Sequence, residues 1–313
     1  MAFTVGIAGI TGKFARLVVK SLLQSHAEVH IRGFCRNASK LPDHLRASNR
    51  ITTIQGDSMS LVDARAFVHG CNVVVCCYLG DNQFMTDGQK VLVDACELEG
   101  VTRYLASDYC LDFTKLDLGQ HPAKDPMKLV KAHLDSKTTV QGVHVLIGAF
   151  METFWSGYFG VFDASQTTLS YWGEGDEIWE ATTYGTAAEF VATVATDENA
   201  VGLQHFLGDR KNIHQIADGF ADVYGKRPRL VRFGSKDDLY QKMHSIYDND
   251  PSNVYAYLAL FYQYYCINGQ TYLKPELDNH KYPMVQPITF KQFMQSHTIE
   301  ELSESYQNAG SDV

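Results

Sequence analysis

The sequence predicts an α/β fold: a doubly wound parallel sheet with a smaller, mostly helical, aromatic-rich C-terminal region. Three observations predict it. Apolar runs and amphipathic stretches alternate from residue 3 to about 150, which is the pattern of strands joined by crossover helices. One run, residues 72–78 (NVVVCCY), is almost continuously apolar, as a strand buried on both faces must be. The first apolar run carries glycines at 6, 9 and 12, and a helical pattern begins immediately after them.

The elements follow in order. Residues 3–8 form the first strand, and the helix over 13–25 shows Phe14, Leu17, Val18 and Leu22 at steps of three and four. Strands follow at 28–35, 51–55, 72–78, 103–107 and 144–147, with helices at 60–69, 83–99 and 125–137 between them. After Phe150 the rhythm breaks. Residues 185–196 read as a helix, 204–207 as a strand returning to the sheet, and 212–224 as an amphipathic helix closed by Gly225. Nine of the 17 tyrosines lie between Tyr240 and Tyr282, where 252–268 reads as a helix apolar nearly all round and therefore buried. The expected division is 1–155 for the sheet domain, with about 182–210 returning to it, and 156–313 for the smaller region. The last few residues, 308–313, are expected to fray.

With 313 residues, 45% hydrophobic and 20% charged, the chain has the make-up of an ordinary soluble globular protein with a substantial core. Its net charge of −9 and lack of a Lys/Arg cluster argue against a nucleic-acid surface. No apolar stretch is long enough to span a membrane, and the apolar start lacks the basic residues of a signal peptide. Seven cysteines without a C-x-x-C pair read as reduced, buried thiols in a cytoplasmic protein. His26 and His30 straddle a helix end and a strand start, so no metal is expected there or at the other histidines.

The glycine turn carries the first chemical inference. Glycine permits a tight turn and close backbone approach, and the first helical N–H groups then point at an anion. Gly6, Gly9 and Gly12, with Thr11, Lys13 and Phe14 beside them, are thus the expected pyrophosphate site of a Rossmann sheet. The spacing G-x-x-G-x-x-G departs from the six-residue form G-x-G-x-x-G, and the strand–turn–helix context carries the reading. The second strand ends in Arg36 with Lys40 four residues on and no acid nearby, which suits the 2′-phosphate of NADP better than the bare ribose of NAD. Asp57 is expected near the adenine, and Tyr78, Leu79 and Gly80 at the carboxyl edge where ligands bind. None of the 17 tyrosines has a lysine four residues later, so the usual tyrosine acid of short-chain dehydrogenases is missing.

At the tip of the fifth strand stand Ser107, Asp108 and Tyr109, followed by Lys124, Lys128 and Lys131. Here the chain resembles the NmrA-like and isoflavone-reductase-like branch of the atypical short-chain dehydrogenases. The resemblance rests on GIAGITGKFA at 6–15, CRNASK at 35–40, GVTRYLASDY at 100–109, KLVKAHL at 128–134 and TFKQFM at 289–294. It implies that a helical lysine sits beside the nicotinamide and polarises the acceptor oxygen. Lys131 is the matching position and Lys128 its alternative, with Asp108 and Tyr109 as further catalytic candidates; a solvated basic helix face is the plain alternative for the lysines. The resemblance also places Ser107 and Phe150 on the cofactor and Glu152 and Phe154 toward substrate. Tyr255 and Tyr262 share one face of the aromatic helix and are expected to line a pocket for a flat substrate, with ordinary core packing as the alternative. The expected function is NADPH-dependent reduction of a small aromatic or polycyclic metabolite, at a carbonyl or conjugated double bond. Two alternatives stay open. One is an NADP(H)-sensing regulator that works through a protein partner. The other is an enzyme that holds the nucleotide while catalysing a redox-neutral cyclisation or isomerisation.

Overall fold

The computed structural model of the protein describes residues 3–310. Its first half alternates strand and helix: β1 (Phe3–Ala8), α1 (Lys13–Ser25), β2 (Val29–Cys35), α2 (Asp43–Arg46), β3 (Ile51–Gln55), α3 (Leu61–Val68), β4 (Val73–Cys76), α4 (Gln89–Glu99), β5 (Arg103–Leu105), α5 (Asp125–Asp135) and β6 (Gln141–Leu146). The expected helix over 83–99 opens with a turn of π-helix, Phe84–Gly88, before α4. The second half comprises β7 (Ala149–Phe150), α6 (Met151–Trp155), β8 (Phe162–Asp163), β9 (Thr168–Trp172), β10 (Ile178–Thr182), α7 (Tyr184–Thr196), β11 (Gly202–His205), β12 (Asp209–Asn212), α8 (Ile213–Tyr224), β13 (Arg229–Gly234), α9 (Lys236–Asn249), α10 (Val254–Ile267), α11 (Phe290–Gln295) and α12 (Ile299–Asn308).

The seven-stranded sheet runs β11-β6-β5-β4-β1-β2-β3, with every neighbouring pair parallel. The strand order reverses at β1, between β2 and β4, so the crevice at the carboxyl ends of those strands is the natural ligand site. Apolar residues of α1 and α7 cover one face of the sheet, and those of α3, α4 and α5 cover the other. The chain reaches β11 after its excursion through β8–β10, and buried Arg103 fastens that return. Its guanidinium donates to the carbonyls of Val194 (3.0 Å), Ala195 (2.7 Å) and Asp197 (2.8 Å) at the end of α7.

The C-terminal half carries the expected helices and also two small sheets, β12-β10-β7 and β13-β9-β8. A third core joins them around the ring of Trp155, which meets Phe162 and Phe154 edge-on at 5.1 Å and also faces Phe220 and Phe290. These strands are two to six residues long, too short for alternation to announce them. Among the described residues no helix is long and apolar enough to cross a membrane, and all seven cysteines are free thiols.

Candidate active site

Between β1 and α1 the chain turns through Gly9 at φ +77°, a conformation that favours glycine. A Cβ there would stand 3.0 Å from the Cys77 carbonyl oxygen, and one on Gly12 would stand 3.2 Å from the Gly9 oxygen. Gly12 is the N-cap of α1 and makes no side-chain cap, so the first-turn amides beside Thr11 and Phe14 have no intrahelical acceptor. Both features suit a pyrophosphate. Gly6 does something else: it lies inside β1 opposite Arg32 and Val74, where a Cβ would come within 3.1 Å of Cys71, Phe67 and Val74 side chains. Its smallness seats α3 against the sheet, which corrects its expected place at the phosphates. Lys13 also departs from expectation. Its ammonium donates to the carbonyls of Tyr306 and Gln307 at the end of α12 and lies 4.5 Å from the Tyr306 ring centre.

The far end of the crevice is preset. Arg36 and Lys40 are exposed, and neither takes part in an ion pair among the described residues. The loop between them is ordered: the Asn37 side chain accepts from the Ser39 N–H (2.9 Å) and hydroxyl (2.7 Å), and Gln55 accepts from the Ala38 N–H (2.8 Å). Asp57 turns its carboxylate to the Met59 N–H (3.0 Å). Tyr78 is buried against Phe84 at 4.9 Å with its hydroxyl unpartnered; burial, and then Cys76 and Asp57, push the phenol pKa up. Gly80 packs under Phe84, where a Cβ would come within 2.6 Å of the ring. Leu79 is 87% exposed. Ser107 ties the neighbouring strand ends together by donating to the Tyr78 carbonyl at 2.8 Å.

Asp108 and Tyr109 are anchors in this arrangement. Asp108 is buried and pairs with His144 at 2.6 Å, on the strand side of the turn. Tyr109 adopts φ +37°, and its hydroxyl donates to the Cys76 carbonyl at 2.8 Å, so that proton is committed. Its ring lies 4.6 Å from Phe14, which in turn sits 5.6 Å from Phe150. Phe150 stacks flat on Tyr184, 3.8 Å apart and 7° from parallel. Aromatic rings therefore wall the end of the glycine turn. Glu152 follows Phe150 and is buried; both its oxygens accept from the Tyr184 N–H at 2.9 and 3.0 Å. Burial raises its pKa to about 7, against the pull of the Tyr184 amide and Lys13.

The three lysines do not share a helix face. Lys131 lies in the second turn of α5 and donates to Asp135 at 2.7 Å. Lys128 is half-buried one turn earlier. Lys124 precedes the helix as its N-cap and is buried, with 2% of its surface exposed. Its ammonium lies 4.8 Å from the Tyr262 ring centre, and no carboxylate pairs with it among the described residues. Burial opposes its charge, while the Cys110 thiol and Tyr262 phenol beside it favour the charge and leave the pKa raised. The i, i+4, i+7 spacing describes one face only if all three residues are helical. Lys124 sits before the helix as its cap, and of the three lysines it is the buried one.

Tyr262 belongs to α10 and is half-buried. Tyr184 lies 6.3 Å from Tyr306 between ring centres, and burial pushes the Tyr158 and Tyr184 phenols up, with Tyr262 and Tyr306 near enough to add to the effect. These tyrosines and the buried lysine thus gather in one neighbourhood beside the C-terminal elements. Two expected substrate contacts fall elsewhere. Phe154 is fully buried in the third core among Trp155, Trp179 and Phe290, and Tyr255, in the exposed first turn of α10, is 94% exposed. Sequence reasoning passed over His121, Tyr158, Tyr184 and Tyr306. Pro122 and Pro126, which bracket Lys124, are the one local signal that this lysine precedes a helix start.

Residues 9–141 match the family model described as NAD(P)H-binding. No curated protein matches the chain by sequence. Among solved structures the chain is similar to AtPrR2 with NADP+ and (+)pinoresinol, at 15% identity and a TM-score of 0.80, covering 95% of this chain and 99% of that one. It is similar to leucoanthocyanidin reductase with NADPH from Vitis vinifera at 17% identity and a TM-score of 0.77, covering 96% and 99%. It is similar to isoflavone reductase at 16% identity and a TM-score of 0.75, covering 95% and 99%. The protein has the fold of these reductases, carried on an NAD(P)H-binding sheet.

Proposed function

We propose that the protein is an NADPH-dependent reductase of a small aromatic or polycyclic metabolite, with Lys124 as proton donor. The observation that carries the reading is the buried Lys124 ammonium, which has no carboxylate partner among the described residues and rests on Tyr262 at the carboxyl edge of the sheet. A lone buried cation is costly, and a site that develops negative charge on a substrate oxygen gives it a use. Support for the nucleotide comes from the Gly9 cradle, the uncapped start of α1 and the unpaired Arg36 and Lys40. Gly9, Gly12 and the α1 amides hold the pyrophosphate. Arg36 and Lys40 hold the 2′-phosphate, Asp57 and Tyr78 border the adenine, and Phe14 and Phe150 border the nicotinamide.

The bound nucleotide supplies a hydride to carbon. Lys124 polarises the carbonyl or enone oxygen and donates one proton to it, giving the alcohol from a carbonyl, or from an enone the enol that ketonises to the saturated ketone. Tyr158, Tyr184, Tyr262 and Tyr306 exclude water and offer flat faces to a ring system. That NADP+ and pinoresinol occupy a protein of the same fold supports both ligand classes.

The regulator alternative draws on the Phe150–Tyr184 stack, which closes ring on ring beside Phe14. Single-turnover oxidation of NADPH with a panel of aromatic ketones and enones separates the readings. Lys124→Met is expected to keep NADPH affinity within a few-fold and to lower turnover by ~10²–10³, while Lys131→Met matches the wild type. A Lys124→Met variant that turns over like the wild type would remove Lys124 from the chemistry. A wild type that oxidises no NADPH with any acceptor would favour the sensor.

A further inference from the structure

His121 is fully buried, and neither of its ring nitrogens has a hydrogen-bond partner among the described residues. A buried imidazole left bare on both nitrogens calls for an explanation. Its ring lies 4.6 Å from Tyr262, 5.5 Å from Tyr265 and 5.8 Å from Phe261. Tyr262 is the ring that also carries the Lys124 ammonium. His121 and Lys124 lie in one turn, since the Lys124 N–H donates to the His121 carbonyl at 2.8 Å. Burial first, and the Lys124 charge second, hold the imidazole well below its ordinary pKa. It is therefore neutral, with one N–H to give and one lone pair to receive.

An open cavity of about 350 Å3, bounded by Gln120, Tyr240, His244, Tyr264, Tyr265 and Gln270, lies one residue away. Gln120 is the chain neighbour of His121, and Tyr265 touches its ring. The imidazole thus stands one side chain from a water-accessible space and against the ring that holds a buried lysine.

We propose that His121 is a proton relay that connects this cavity to Lys124. The inference rests on the reading of Lys124 as proton donor, because a buried amine that has given up its proton needs a route to recover it. In the recharging step Lys124 has become a neutral amine. As the N–H of His121 passes its proton through one water to that amine, the opposite ring nitrogen accepts a proton from water on the cavity side in the same step, and a tautomeric exchange of the imidazole resets the relay. One proton enters from solvent for each one delivered to substrate, and the imidazole ends as it began.

The test reads proton exchange at Lys124 itself, in the full-length protein without nucleotide or substrate. Nitrogen-15 NMR of the lysine Nζ groups gives the exchange rate with water, and Lys124→Met identifies the signal. His121→Phe keeps the ring contacts and removes both nitrogens. It is expected to slow Lys124 exchange at least tenfold, whereas mere loosening of the core would speed it. His121→Gln retains polarity and size but cannot shuttle a proton between two atoms, and it is expected to be slow as well. Fast exchange in either variant overturns the relay, and His121→Gln decides the matter if His121→Phe does not fold. The readout is independent of turnover. A protein that oxidises no NADPH sinks the reductase reading alone, while unchanged exchange sinks the relay alone.

Discussion

Glu152→Gln should make the protein more stable at alkaline pH and leave it nearly unchanged under acid conditions. The carboxyl of Glu152 is buried after β7, accepts from the Tyr184 N–H, and has its pKa raised from 4.5 to about 7 by burial. A raised acid binds its proton more tightly in the folded chain than in the unfolded one. Folding is therefore unpenalised below the unfolded value and loses stability as pH climbs from 4.5 toward 7. A shift of this size is worth about 3 kcal/mol once both states are ionised, at roughly 1.4 kcal/mol per pKa unit. Between pH 5 and pH 8 the penalty grows by about 2.5 kcal/mol, because about 0.8 is already present at the lower pH. Glutamine keeps an oxygen for the Tyr184 amide and never ionises. The assay is urea unfolding of wild type and variant at both pH values, where every other titrating group cancels in the difference. The variant should gain about 2.5 kcal/mol on the wild type between pH 5 and pH 8. Parallel stability curves, or a gap that closes as pH rises, would refute the claim that burial dominates at Glu152.

Two further outcomes follow from the nucleotide crevice. NADPH should bind more tightly than NADH, and Arg36→Ala should narrow the preference about tenfold or more, since a charge-assisted contact is worth ~1.5–3 kcal/mol; equal affinities in wild-type calorimetry would remove the 2′-phosphate from Arg36 and Lys40. Gly9→Val should leave the far-ultraviolet circular dichroism native and abolish NADPH binding. The new side chain meets the Cys77 carbonyl at a φ of +77°, with strain on the order of 1–3 kcal/mol. Normal binding by a folded variant would place the pyrophosphate elsewhere.

What the sequence determined by itself is local and periodic. The glycine turn, α1 over 13–25 and β3 over 51–55 stand where the pattern predicts them, because each is specified by residues within one turn or pleat of one another. The parallel order follows from alternation, since crossover helices leave few alternatives. The cations at 36 and 40 are legible for the same reason, as they close a strand whose place in the sheet is already known. Tertiary structure alone decided the rest. Helical spacing groups Lys124 with Lys128 and Lys131, but a helix start at Asp125 leaves Lys124 outside and drives it under Tyr262, 138 positions later in the chain. Gly6 reads as a phosphate glycine until Phe67 and Cys71 are seen against it. Tyr255 and Tyr262 lie on one stripe of α10, yet the first turn projects into solvent while Tyr262, two turns on, packs on Lys124. Phe154 looks like a pocket wall and lies in the core because β10 and α11 close over it. In each case the deciding partner is remote in sequence. Burial and pairing are set by which surfaces the fold brings together, and no local spacing encodes that.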